Sequence, residues 1–116
     1  MFIEFPKGTV IEGVKEINEK DLVLKEDVRL VIDVKMWFEV DSKKLNLHLG
    51  DTDLDSLKEE ILLDLKANYS LYTQHPDETL TEEAKKIKYM MLKTLEERDV
   101  DNGKWKRCIV KWNRYL

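Results

Sequence analysis

Residues 28–40 read VRLVIDVKMWFEV. Val28, Leu30, Ile32, Val34, Met36, Phe38 and Val40 fall on every second position, so extended backbone places seven apolar side chains on one face. A helical period would scatter the same residues around a cylinder. The opposite face carries Arg29, Val31, Asp33, Lys35, Trp37 and Glu39, mostly polar, which fits an antiparallel sheet covered on one side only. The stretch predicts one central strand.

Shorter extended runs surround it: FIEF at the start, TVIEGV after the Pro6-Lys7-Gly8 turn, DLVLK over 21–25, and LNLHLG, where Leu45, Leu47 and Leu49 alternate again. Residues 1–49 therefore predict an antiparallel β-meander of four to five strands. From Gly50 the period changes. Leu54, Leu57, Ile61, Leu65 and Tyr69 recur at helical spacing, Ser56 and Glu59 have capping-box spacing, and acids gather where the helix dipole favours them. This predicts a helix over 52–69. After His75-Pro76-Asp77, Thr79 with Glu82 opens a second helix over 80–98, whose apolar stripe is Leu80, Ala84, Ile87, Met91 and Leu95. Tyr89, Met90 and Leu92 extend its apolar surface beyond that stripe, so the helix is either covered on two sides or presents a patch to a partner. Asn102-Gly103 then breaks the chain before residues 104–116.

Strands followed by helices imply an α+β fold, one domain over 1–116, with the sheet packed against two to three C-terminal helices. At 116 residues the chain is large enough to fold without a metal or disulfide staple. Cys108 is the only cysteine, which excludes an intrachain disulfide and a cysteine-based zinc site within one chain. MFIEFPKG has no basic region followed by a long apolar stretch, and no apolar run approaches the length of a membrane span. A cytoplasmic location without membrane contact is the expectation.

The net charge of −4 conceals an asymmetry. KWKRCIVKWNRYL (104–116) carries Lys104, Lys106, Arg107, Lys111 and Arg114 and no acid, so this tail is +5 and residues 1–103 are −9. As a helix it places Trp105, Cys108, Ile109, Trp112, Tyr115 and Leu116 on one side; as a strand it puts Trp105 and Tyr115 beside Arg107 and Lys111. The helix segregates the apolar residues better and is the expectation for 104–116, with a strand, for which CIVKW has the propensity, as the alternative. The strand arrangement is the one that suits single-stranded nucleic acid, with rings for bases and cations for phosphates.

Few constellations suit catalysis. GDTDLDS resembles an EF-hand in its Asp51, Asp53 and Asp55, but Ser56 replaces the turn glycine and Leu62 stands where a bidentate glutamate should close the loop. Asp33-Val34-Lys35 resembles the metal-dependent nuclease core known as PD-(D/E)xK, in which acids hold a divalent cation and a lysine supports the attacking water. That resemblance covers three residues, and neither the preceding helix nor an upstream Pro-Asp pair is present. Four scattered glycines make no phosphate loop, and His48 and His75 lie in different elements.

No cofactor or metal is expected. The composition points to a small, soluble, non-enzymatic interaction protein that binds a protein partner. Its size and Lys/Glu richness resemble those of phage or mobile-element accessory proteins that modulate a host factor. Asp51, Asp53, Asp55, Glu59, Glu60 and Asp64 form the acidic cluster that would meet such a partner. A nucleic-acid-associated role for the tail is the alternative, and a metal-dependent nuclease using Asp33 and Lys35 the third reading.

Overall fold

The computed structural model describes residues 1–99. The fold is α+β: β1 (Phe2–Phe5), β2 (Val10–Ile11), β3 (Asp21–Leu24), β4 (Val28–Val34), β5 (Phe38–Ser42), β6 (Leu47–Asp51), α1 (Leu54–Thr73), α2 (Glu82–Thr94) and β7 (Leu95–Arg98). They build a four-stranded sheet in the order β1-β4-β5-β6 and a three-stranded sheet in the order β2-β3-β7, antiparallel throughout. The predicted helix and final stripe of residues 104–116 lie outside the described residues.

The stretch 28–40 is two strands, not one. The chain reverses over Lys35–Trp37, where Lys35 N–H donates to the Trp37 carbonyl at 2.9 Å, and Val34 pairs with Phe38. Alternation hides this turn for a geometric reason. With Val34 opposite Phe38 and Ile32 opposite Val40, residues of like parity face one another, so even-numbered side chains stay on the core side through both strands. No glycine, proline or asparagine marks the reversal.

Ile3 and Phe5 of β1, Leu30 and Ile32 of β4, Val40 of β5 and Leu47 of β6 form the inner sheet face, and Leu57, Ile61 and Leu65 of α1 cover it. Each such burial is worth roughly 1.5–3 kcal/mol. The helix expected over 52–69 runs over Leu54–Thr73. Its cap is Asp53, one turn before the Ser56-Glu59 box, and the Asp53 carboxylate accepts from Ser56 N–H at 3.3 Å and from Ser56 Oγ at 2.7 Å. The second helix is capped by Thr81, which accepts from Ala84 N–H at 3.2 Å. Thr79 instead donates its hydroxyl to the Pro76 carbonyl.

The helix expected over 80–98 stops at Thr94, and residues 95–98 are β7, paired with β3. Leu-Glu-Glu-Arg is a good helical sequence, but β3 is buried along its whole length and presents a ladder edge on each side. β2 fills part of one edge; β7 satisfies the other, and pairing overrides propensity. On α2, Met91 is buried and Met90 packs against the core, while Tyr89 and Leu92 are exposed. Among the described residues no helix is long and apolar enough to cross a membrane.

Candidate partner-binding site

The β4–β5 hairpin gathers side chains that neither sheet nor helix covers. Six of the twelve exposed large apolar residues among those described lie at this end of the four-stranded sheet: Met1, Phe2, Val31, Val34, Met36 and Trp37. Register explains their proximity. Phe2 sits opposite Val31, the Met1 carbonyl accepts from Ile32 N–H at 2.8 Å, and Val34 begins the turn. Val34 has core-side parity but overhangs the core edge, and Met36 at the tip is 91% exposed.

Trp37 is held rather than loose. Its indole N–H donates to Glu39 Oε2 at 3.0 Å, and the Lys35 ammonium lies 5.7 Å from the ring centroid. The indole lies against Gly50 of β6: a Cβ there would stand 3.5 Å from Trp37 Cδ1. On the neighbouring strand the Arg29 guanidinium sits 3.9 Å over the Phe2 ring. The indole hydrogen bond, followed by the Lys35 charge, holds the Glu39 carboxyl below the usual carboxylate range. Preorganised rings of this kind cost little entropy when a partner covers them.

The nuclease-like fragment is part of the same surface. Asp33 stands opposite Glu39, and Lys35 Nζ lies 3.6 Å from a carboxylate oxygen of each. The lysine therefore sits between the carboxylates and offsets part of their charge. Among the described residues no group of three or more His, Cys, Asp or Glu side chains has the geometry to hold a metal ion.

The acidic cluster borders the hairpin, because Asp51 at the end of β6 pairs with Phe38 at the start of β5. Asp51 Oδ1 accepts from Asp53 N–H at 2.9 Å, and Asp53 caps α1. Glu60, two turns further on, shares a hydrogen bond with Asp51, which raises the Glu60 pKa; the Asp53 backbone N–H and Glu60 together lower that of Asp51. Asp55 faces Lys58 at 3.7 Å, Glu59 is exposed, and Asp64 is half-buried, with desolvation raising its pKa. The structure thus brings Asp51, Asp53 and Glu60 together around the first turns of α1 and leaves Asp64 apart. Lys104, Lys106, Arg107, Lys111 and Arg114 lie outside the described residues.

Sequence reasoning named the acids and missed the apolar hairpin beside them. A signal was present in Val31 and Trp37, two apolar residues on the charged side of the 28–40 alternation. Comparison with protein-family models, curated proteins and solved structures finds no match.

Proposed function

We propose that this chain is a non-enzymatic interaction protein that acts in the cytoplasm by docking the hairpin end of its four-stranded sheet onto a protein partner. The observation that carries the reading is the exposed Met36-Trp37 tip, at the end of the sheet where Val34, Val31 and Phe2 are also exposed and where Asp51 ends the neighbouring strand β6. Exposed apolar clusters rimmed by polar groups mark protein contacts, and tryptophan and methionine are enriched at their centres. The complementary partner has an apolar pocket set in a basic surface, of the sort that holds nucleic acid on a host factor. Occupying that surface is how an accessory protein of a phage or mobile element would modulate its target.

The test is a photo-crosslinking amino acid placed at position 36 in the full chain, compared with one at Lys7, whose backbone bonds to Asp27 at the far end of β4. A defined adduct formed in cells at position 36 but not at position 7, and weakened about 30-fold by Trp37→Ala, is the expected result, since such anchors are worth about 2 kcal/mol or more. Equal labelling at both positions, or an adduct indifferent to Trp37→Ala, would remove the reading.

A further inference from the structure

At the opposite end of the β5–β6 ladder, where Ser42 pairs with Leu47, the chain turns through Lys43, Lys44 and Asn46 beside α2. Between this turn and the helix lies a cavity of about 750 Å³. Its size is that of a small-molecule site, whose walls are mostly apolar with a few placed polar groups. Ile87, Tyr89 and Met90 supply the apolar wall. Ile87 and Met90 also pack on the core, so that wall is anchored.

The charges around it are mostly uncommitted. Lys43, Lys44 and Lys86 line the cavity and form no ion pair among the described residues, whereas Lys85 is engaged by Glu82 at 3.2 Å. Glu83 is the other acid at the rim. Three ammonium groups with no ion-pair partner among the described residues, around an apolar wall, make a local positive field on a chain of net charge −4. Long lysine stems can cover an apolar ligand while their heads meet an anion.

The lip is rigid. Asn46 adopts a left-handed backbone (φ 54°), and the buried Asn68 of α1 donates to the Leu45 and Asn46 carbonyls at 2.9 and 2.8 Å. Asn46 Nδ2 in turn donates to the Tyr72 hydroxyl at 3.2 Å. A preformed lip spares a ligand the ordering cost of closing a loop.

We propose that this cavity binds a small anionic amphiphile, an aliphatic or aromatic chain bearing a single carboxylate or phosphate. The apolar part lies on Ile87, Tyr89 and Met90, and the anion is met by Lys43, Lys44 and Lys86.

The test titrates the full ¹⁵N-labelled chain with monomeric dodecanoate and dodecyl phosphate, with dodecanol and dodecyltrimethylammonium as neutral and cationic comparators. Amide shifts confined to 43–46 and 82–90, with a Kd of about 0.1 mM or tighter for at least one anion, are expected. The anion preferred tells a carboxylate ligand from a phosphate one. Binding should weaken at least about tenfold in the Lys43→Gln, Lys44→Gln, Lys86→Gln triple variant, whose amide spectrum elsewhere reports folding. Should that variant misfold, a salt series on the unmodified chain decides, because anion binding must weaken as ionic strength rises. Binding of dodecanol as tight as that of the anions, salt-independent affinity, or shifts elsewhere would overturn the proposal. An acidic, leucine-containing peptide that shifts these amides while both amphiphiles fail would overturn it in favour of a protein partner.

Discussion

Lys58→Met is expected to stabilise the protein. Lys58 belongs to α1, its side chain is 1% exposed, and its ammonium has no hydrogen-bond partner among the described residues. Its only ion-pair contact among them is Asp55 Oδ1 at 3.7 Å, and Asp55 is 78% exposed. Removing an ammonium from water costs several kcal/mol even after relaxation, while a pair with a solvated carboxylate returns about 1 kcal/mol or less. Methionine is unbranched, nearly as long and equally helix-forming, so it can fill the same space without the desolvation penalty. Asp55 would remain in water and lose little. The expected gain is about 1–3 kcal/mol, read in urea unfolding as a midpoint raised by about 1 M with an unchanged slope. Asp55→Asn alone should cost about 1 kcal/mol or less, and almost nothing in the Lys58→Met background. A Lys58→Met protein less stable than the parent by 1 kcal/mol or more would refute the reasoning, because the ammonium would then have a partner that outweighs its desolvation. The same change makes the flank of the hairpin one unit more negative, and should tighten docking on a basic partner.

Three further outcomes follow from the geometry. Asn68→Ala removes both donors to the Leu45 and Asn46 carbonyls and should cost about 2–3 kcal/mol in urea unfolding, with faster amide exchange confined first to residues 43–47. Gly13→Ala drives a Cβ onto the backbone carbonyls of Glu19 and Lys20 and should destabilise by about 3 kcal/mol, while Gly50→Ala, whose Cβ meets only ordinary contacts at 3.5 Å, should change stability by less than about 1 kcal/mol. Glu60→Gln gives Asp51 a permanent amide donor. Glu60 has a raised pKa, so its contribution is present at low pH and lost as pH rises through its folded value; Asp51, with a lowered pKa, contributes above its unfolded value and loses that as pH falls. The variant should therefore be the more stable protein at neutral pH, with the difference shrinking as Glu60 becomes protonated in acid, as thermal melts across that range would read.

The acidic cluster illustrates what local sequence carries. Asp53 and Asp55 sit where the helix dipole favours acids, at the cap and in the first turn of α1, because that effect acts over a single turn, although the cap itself is Asp53 and not the Ser56-Glu59 pair. The neighbourhood of Asp51 with Trp37 depends on the pairing of Phe38 with Asp51, a contact between strands that no run of sequence encodes by itself. Met36 reads as a core residue by parity and stands almost fully exposed, because parity assigns a face but cannot say where the face ends.

By itself the sequence determined the α+β class, the two helices at 3.6 spacing, the inner face of the four-stranded sheet and the charge imbalance between body and tail. These depend on periodicity and composition, which are local quantities. Only the tertiary structure decided that residues 28–40 fold back as a hairpin, that Leu95–Arg98 leaves its helix to complete a second sheet, and that half of the exposed large apolar residues among those described lie at the hairpin end of the four-stranded sheet. Like parity conceals a three-residue turn, and an open edge on β3 outweighs helix propensity. Those outcomes rest on hydrogen bonds and burial between segments far apart in the chain.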